Sequence, residues 1–220
     1  MIKEHTVINP GEEVDPKEYV DWEYSPSLVK NVQRDSDDKF KLKVIKKHAV
    51  NHDSYLFELE FPNKDWISGL WPSGHLIFHK KIGDEDIARK YTPVSPINKK
   101  GSADFIVKIY RKHPDFENKG KFTQYLENEV NVGDEIVCSG PVGRCKYLGD
   151  GIFHTKGPLG HKKTKLGLIA GGSGITPMYS IAQAAIYAND GLEIVFLYSN
   201  KTKDDMLCLD ELNELAAMNP

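Results

Sequence analysis

The sequence lacks three features that would assign it to a specialised class of protein. Its 3 cysteines are odd in number and form no Cys-x-x-Cys pair, so neither a disulfide framework nor a zinc site is indicated. No apolar run approaches the roughly 20 residues that span a bilayer, and residues 1–21 lack the apolar core of a signal peptide. We therefore expect a soluble chain in a reducing compartment, either cytoplasmic or peripheral to a membrane.

An excess of positive charge is also missing. The net charge is −3, which argues against a general nucleic-acid binder. The histidines at positions 48, 52, 75, 79, 113, 154 and 161 show no spacing typical of metal ligands, so no metal site is expected. With 40% apolar and 28% charged residues, the 220-residue chain can bury a core as one large domain or as two modest ones.

The most informative stretch is Leu166–Tyr179, which reads Leu-Gly-Leu-Ile-Ala-Gly-Gly-Ser-Gly-Ile-Thr-Pro-Met-Tyr. Its apolar start, Leu166–Ala170, predicts a strand buried on both faces, and Pro177 stands where a helix would begin. The three glycines between them would bring backbone N–H groups and the positive end of a helix dipole together. Such a turn suits a dinucleotide pyrophosphate, although Pro177 departs from the usual G-x-G-x-x-G spacing. A purely structural tight turn is the alternative.

Period-two patterns dominate the region between residues 40 and 139. Alternating apolar and polar residues indicate half-buried antiparallel strands, and turn residues such as Gly133-Asp134 separate them. About six short strands at this spacing predict a small barrel. The strand candidates are Phe40–Val44, Tyr55–Phe61, Leu76–Lys80, Phe105–Arg111 and Glu135–Ser139, with one helix near Thr123–Glu129.

The last third of the chain has a different periodicity. Residues 150–164, rich in glycine, proline and basic side chains, are expected to form a linker. The strand at Leu166, a helix over Pro177–Ala188 and a strand over Leu192–Tyr198 then predict a βαβ unit, and a last helix is expected over Asp205–Met218. The predicted domains are an irregular extension (1–37), a barrel (38–155) and an α/β lobe (156–220).

A candidate cofactor site lies in the extended segment Arg89–Pro96. An arginine, an aromatic ring and a hydroxyl group there offer an anion clamp, a stacking surface and a hydrogen-bonding group. These features suit a flavin with its phosphates, but they equally suit a barrel strand with a surface Arg and a core Tyr.

A second glycine-containing segment, Gly120–Thr123, opens the helix of the barrel region. Its amides could bind another face of a pyrophosphate, and Thr123 could cap the helix. Capping alone is the alternative for this segment. The turn Gly140–Gly143 could likewise be only a barrel corner.

Taken together, these stretches resemble the NADH–cytochrome b5 reductase branch of the ferredoxin–NADP reductase superfamily. The resemblance covers about residues 40–220. Five motifs occur in family order and spacing, namely R-x-Y-T-P-x-S from Arg89, V-K-x-Y from Val107, G-K-x-T from Gly120, G-P-x-G from Gly140 and G-G-x-G-I-T-P from Gly171. Three departures are Lys90 in place of Pro, Phe122 in place of Met, and the absence of a Gln before His75, which is therefore assigned no role.

The resemblance implies bound FAD and NADH and assigns residues to them. It places Arg89 on the FAD pyrophosphate, Tyr91 beside the ribityl chain and flavin, and Thr92 near flavin N5, which makes Tyr91 and Thr92 the expected catalytic residues. The other implied contacts are Val107, Lys108 and Tyr110 at the flavin and adenosine diphosphate, with Lys108 also associated with NADH; Gly120, Lys121, Phe122 and Thr123 in the FAD phosphate loop; and Gly171, Gly172, Ser173, Gly174 and Thr176 where flavin and nicotinamide meet.

The implied fold is a six-stranded antiparallel FAD barrel followed by an α/β nucleotide-binding lobe. The implied function is hydride transfer from NADH to FAD, followed by single-electron transfer to cytochrome b5 or a similar acidic haem protein. This partner would dock on Lys121, Lys162 and Lys163. For Lys162 and Lys163, the alternative is that they belong to a solvated linker with no partner. Two other functions stay open: the reductase module of a larger redox enzyme, and a non-enzymatic FAD-binding remnant.

The nucleotide-binding lobe is expected to be incomplete. In the family it has five or six strands and carries a later C-G-P-x-M motif, whereas this chain supplies two strands and two helices before Pro220. The Leu166 strand would then keep an unpaired edge and an uncovered apolar face. We therefore expect a truncated chain whose barrel holds FAD and whose NADH turnover is weak.

Overall fold

The structure, a computed structural model, describes residues 13–14, 27–111, 120–155 and 160–218. Most of the expected extension (1–12 and 15–26), four linker residues (156–159) and His113 lie outside the described residues. The first described elements are strand β1 (Glu13–Val14) and the short helix α1 (Leu28–Asn31). Leu28 is fully buried in the main core, so at least this part of the chain before residue 38 packs with the barrel.

Six antiparallel strands form the main sheet. They are β2 (Phe40–Asn51), β3 (Ser54–Glu60), β4 (His75–Ile82), β5 (Glu85–Tyr91), β6 (Ser102–Lys108) and β7 (Glu135–Val142). Their order is β5-β4-β7-β2-β3-β6, and the two outer strands β5 and β6 contact each other, so the sheet curls around one core. The alternation in β2 buries Phe40, Leu42 and Val44 on its inner side. The antiparallel six-stranded architecture predicted from the sequence is confirmed.

Helix α2 (Lys121–Asn128) packs against this core through Phe122 and Leu126. The Lys47 ammonium of β2 donates hydrogen bonds of 2.6 and 2.7 Å to the carbonyls of Glu127 and Val130. A cation is well placed there, because the last carbonyls of a helix have no partner within it. These contacts fix the C-terminal end of the helix on the barrel.

The predicted linker contains regular structure. Strands β8 (Lys146–Gly149), β9 (Ile152–His154) and β10 (Gly160–Lys162) form an antiparallel sheet in the order β1-β10-β9-β8. The rings of Tyr147 and Phe153 lie 4.9 Å apart in an apolar cluster that includes Ile181 of the following lobe. The expectation of a plain linker over 150–164 is therefore wrong, because these short strands bury aromatic side chains against that lobe.

The predicted βαβ unit is confirmed. Strands β11 (Lys165–Gly171) and β12 (Glu193–Ser199) pair in parallel, with Leu168 opposite Phe196, and helix α3 (Ile175–Ala188) connects them. The last helix, α4 (Leu209–Met218), begins later than expected. A single 3₁₀ turn occupies Lys203–Asp205, and Cys208, with φ 55°, interrupts helical geometry just before α4.

Strand β11 is not buried on both faces, so this prediction is wrong. Leu168 and Ala170 pack against α3, whereas Ile169 is 75% exposed. On β12, Val195 and Leu197 are 67% and 62% exposed. Within the described residues, β11 has one neighbouring strand and helices on one face only, which leaves the expected uncovered apolar face. No helix in these ranges is long and apolar enough to cross a membrane.

Candidate functional site

One cleft of about 240 Å³ collects most of the residues implied by the motifs. It lies between the barrel and the glycine-rich turn before α3. Ten of its lining residues were predicted from the sequence: Arg89, Tyr91, Lys108, Tyr110, Gly120, Lys121, Phe122, Thr123, Ser173 and Thr176. Lys90 and Ile106 also line it and were not predicted.

The end of β5 supplies a cation and an aromatic ring. Arg89 is exposed, and its guanidinium donates a 2.8 Å hydrogen bond to the neighbouring Ala88 carbonyl. The Tyr91 ring packs 4.8 Å from Phe78 and 6.3 Å from Phe122, so the core fixes its orientation. Burial raises the pKa of Tyr91 well above its usual range, which keeps the phenol protonated. Thr92 follows directly and is buried.

Strand β6 and its continuation present alternate residues to the cleft. Ile106, Lys108 and Tyr110 line it, because every second side chain of an extended segment shares one face. Val107 has the opposite parity and is fully buried in the barrel core. The implied contact of Val107 with the flavin therefore cannot use an exposed side chain.

The start of α2 forms the side of the cleft opposite the lobe. Gly120 precedes the helix with φ 81°, and a Cβ there would collide with the Tyr110 carbonyl, so only glycine fits. Thr123 is not the helix cap: its Oγ1 accepts a 3.0 Å hydrogen bond from the Tyr110 amide and donates one of 3.1 Å to the Gly120 carbonyl. Thr123 thus ties β6 to α2 and leaves the first amides of the helix available to a ligand.

The glycine-rich turn approaches the cleft from the lobe. Gly172–Gly174 form one 3₁₀ turn, and a Cβ added at Gly171 or Gly174 would meet no atom within 4 Å. Tyr198 of β12 donates a 3.1 Å hydrogen bond to the Gly172 carbonyl and so holds the turn. Across the cleft, the hydroxyls of Ser173 and Tyr110 lie 3.1 Å apart. The lobe and the barrel therefore meet at the site.

The donor groups and shape of this region fit a flavin dinucleotide. A second cavity of about 360 Å³ shares Arg89 and Lys121 with the first, so the two cations border an elongated space. Phosphates are favoured by these cations and by the N-terminus of α2, and the Tyr91 ring offers a wall for a planar group. Lys121 also forms a 2.8 Å ion pair with Glu85, a carboxylate that the motifs did not indicate.

The other lysines predicted to bind a partner lie away from the cleft. Lys162 is half-buried in β10, and the next residue, Lys163, is exposed. Lys162 belongs to the small sheet, and Lys163 directly follows its strand. Of the three predicted docking lysines, the structure brings only Lys121 into the candidate site.

Two family models match the two parts of the chain. Residues 41–147 match the oxidoreductase FAD-binding domain, and residues 168–220 match the oxidoreductase NAD-binding domain. These matches assign an FAD-binding and an NAD-binding domain to the chain. They cover the barrel with α2 and the βαβ lobe, respectively.

Individual relatives agree with these domains. The chain is 37% identical to rat NADH-cytochrome b5 reductase 2 over 191 residues, which cover 83% of this chain and 69% of the rat protein. It is 35% identical to nitrate reductase [NADH] 2 of Phaseolus vulgaris over 194 residues, 87% of this chain but 22% of that protein. The chain thus spans under a quarter of the bean enzyme.

A solved structure supports the same assignment. The crystal structure of the cytochrome b5 reductase domain of Ulva prolifera nitrate reductase matches with a TM-score of 0.77 at 33% identity, over 86% of this chain and 72% of that one. Sequence motifs, domain models and fold agree. The chain belongs to the NADH–cytochrome b5 reductase family of flavin oxidoreductases.

Proposed function

We propose that this chain passes a hydride from NADH to FAD and then single electrons to cytochrome b5 or a similar acidic haem protein. The observation that carries the proposal is the single cleft in which Arg89, Tyr91 and Lys121 of the barrel face Ser173 and Thr176 of the lobe. Bound FAD would supply the chemistry, because it accepts a hydride and releases electrons one at a time.

The protein's part is to bind and orient the reactants. Arg89 and Lys121 would neutralise the charge of the pyrophosphate, the amides of α2 would donate hydrogen bonds to it, and Tyr91 would hold the flavin ring system against the barrel. Thr92, which is buried directly after Tyr91, would hold its hydroxyl on the flavin side of that segment, and the turn around Ser173 would orient the nicotinamide toward the flavin. Val107 contributes its backbone. Oxidation of one NADH then reduces two haem acceptors and releases one proton.

The domain boundaries predicted near residues 38 and 156 are part of the same proposal, with the segment around Leu28 added to the barrel whose core it enters. The FAD-binding barrel and the partial NAD-binding lobe would be separate units that meet at the cleft. We place the protein in the cytoplasm or at a membrane surface, a reducing setting that suits the buried free thiols of Cys138 and Cys208.

The direct test is FAD titration followed by an NADH–ferricyanide assay. Ferricyanide accepts single electrons without protein docking, so it measures the cofactor chemistry alone. We expect a yellow protein with one FAD per chain and flavin-dependent oxidation of NADH. A protein that takes up no FAD would refute the barrel assignment, whereas one that binds FAD without oxidising NADH would favour the non-enzymatic reading.

The electron acceptor is tested by reversing charge. Replacing Lys162 and Lys163 by Glu should slow cytochrome b5 reduction more than ferricyanide reduction, and added salt should slow the cytochrome reaction of the wild type. The exposed lysine variant Lys100→Glu serves as the control. A cytochrome rate that is insensitive to both salt and charge reversal would exclude this docking surface.

A second candidate function is a reductase module within a larger redox enzyme. It is favoured by the similarity to nitrate reductases, of which the chain spans 22% in the bean protein. Transcript sequencing that finds molybdenum or haem domains in the same reading frame would support this candidate, and a reading frame that lacks them would oppose it.

A further inference from the structure

A charged cluster joins the barrel to the lobe beside the cleft. The Lys108 ammonium lies 2.7 Å from Oδ2 of Asp53, in the turn between β2 and β3, and 3.5 Å from Oδ1 of Asp205, in the lobe. Nε2 of His52 lies 3.6 Å from each carboxylate. Asp205 is thus a charged residue of the lobe that contacts Lys108, a lysine that lines the nucleotide cleft.

The two oxygens of Asp205 have different partners. Oδ2 accepts a 2.8 Å hydrogen bond from the Thr202 hydroxyl and one of 3.1 Å from the Thr202 amide. The amide bond holds Oδ2 whatever side chain stands at position 202, and Oδ1 is the oxygen that faces Lys108. The side chains of Lys108 and Asp205 are only 20% and 10% exposed, so water screens this pair less than it would screen an exposed pair.

A second contact joins the same two segments of the barrel and the lobe. The Asn51 side chain donates a 3.1 Å hydrogen bond to the Asp204 carbonyl, so the turn of the barrel is bound to the segment that carries Asp205. Because an ammonium has three N–H donors, two carboxylates account for two of them and leave one for a ligand. Lys108 is then a donor of fixed direction at the side of the cleft.

We propose that Asp205 is a positioning residue, which reaches from the lobe to the barrel and fixes the Lys108 ammonium for hydrogen bonding to the nicotinamide nucleotide. The role toward the nucleotide rests on the function proposed above. The fixing of Lys108 does not, since it concerns two side chains of the protein. A bound metal ion is not needed to balance the cluster, because Lys108 already pairs with both carboxylates.

The competing explanation is that Asp205 only stabilises its own 3₁₀ turn, in which it forms a capping box with Thr202. Two variants separate these roles. Asp205→Asn removes the charge that faces Lys108, and Thr202→Val removes the hydroxyl from the capping box while leaving the Asp205 carboxylate in place. Helical content and the unfolding midpoint of each variant report whether the turn and the fold survive.

The first readout needs no nucleotide. Burial lowers the pKa of Lys108, but the hydrogen bonds and charges of Asp53 and Asp205 outweigh it and raise the pKa overall. Limited acetylation with acetic anhydride, quantified by peptide mass spectrometry against exposed Lys43, should therefore increase at Lys108 by roughly three- to tenfold in Asp205→Asn, since one pKa unit changes the free-amine fraction tenfold. Thr202→Val should leave it unchanged. Equal acetylation in the wild type and Asp205→Asn would overturn the proposal.

The second readout is steady-state kinetics with NADH and ferricyanide. Asp205→Asn should raise KM for NADH by roughly three- to tenfold with kcat within about twofold, as expected when ground-state binding is lost. In a Lys108→Met background, the same substitution should have no further effect, because the pair acts as a unit. Equal KM changes in Thr202→Val, or additive effects with Lys108→Met, would refute the positioning role. If Asp205→Asn increases the acetylation of Lys108 but the wild type oxidises no NADH, the ion pair between Lys108 and Asp205 is supported and the proposed function is refuted.

Discussion

The barrel and the lobe bury the apolar side chains of their strands to very different extents. In the barrel, Phe57, Phe78 and Phe105 are fully buried. In the lobe, Ile169 on β11 is 75% exposed and Val195 on β12 is 67% exposed. The difference lies in the neighbours, because the barrel sheet curls around a shared core whereas the two lobe strands have helices on one face within the described residues. Apolar content alone therefore does not indicate burial.

The largest predicted effect is a cavity in the barrel core. Phe105 packs edge-on against Phe78, with ring centroids 5.1 Å apart. Phe105→Ala should lower the free energy of unfolding by about 3–5 kcal/mol, because it removes a fully buried ring and leaves a void. Urea unfolding followed by circular dichroism measures the change. As the control, Tyr187→Ala on α3, where the side chain is 55% exposed, should lower the free energy of unfolding by less than about 0.5 kcal/mol. Equal decreases in the two variants would mean that the barrel core is not the stable part.

The next largest effect is on FAD binding, to which the barrel contributes Arg89. Arg89→Ala should weaken FAD binding by about 1.5–3 kcal/mol, because a charge-assisted contact to the pyrophosphate is lost. That corresponds to a dissociation constant raised roughly 10- to 150-fold. Quenching of flavin fluorescence gives the constant.

The matched control for Arg89 is Lys100→Ala, which removes an exposed positive charge outside the cleft. It should leave FAD affinity within about twofold. If both variants bind FAD as tightly as the wild type, the pyrophosphate does not lie beside Arg89.

Local sequence patterns anticipated most of the fold and much of the site. Period-two alternation located five of the six barrel strands, but β5 was missed because Glu85–Lys90 is largely charged and shows no alternation. The parity of β6 would have excluded the Val107 side chain from the cleft, since Val107 alternates with Ile106 and Lys108. The resemblance implies a contact between Val107 and the flavin, and this parity limits that contact to the backbone of Val107.

Contacts between segments that are distant in the sequence could not be predicted from any local pattern. Asp205 was expected to start a helix, and its position three residues after Thr202 does indicate a capping box. Its ion pair with Lys108 joins segments that only the tertiary structure brings together. The wrong prediction for β11 has the same origin, because the number of strands and helices around a strand is not encoded in that strand.

A smaller effect should appear as the pH falls, and it should arise in the barrel. Burial lowers the pKa of His75 and of His79, both in β4, so the folded state favours their neutral forms. The unfolded chain takes up protons as the pH falls through about 6.5, and stability is then lost. Urea unfolding at pH 7.5 and 5.5 should show a decrease that is smaller in a His75→Gln/His79→Gln variant. Replacement of exposed His48 by Gln should leave the decrease intact; a wild-type stability that is flat or rises toward pH 5.5 would contradict the assignment.

The smallest effect compares two neighbours on β11. Leu168 is 4% exposed and packs against the helices of the lobe, whereas Ile169 points to the opposite face. Ile169→Ala should change the free energy of unfolding by less than about 0.5 kcal/mol. Leu168→Ala should cost about 2–5 kcal/mol, because it leaves a cavity beside α3. Hydrogen exchange of the β11 amides and urea unfolding measure both changes. If Ile169→Ala were as costly as Leu168→Ala, the outer face of β11 would be covered in solution, and the contrast between the lobe and the barrel would disappear.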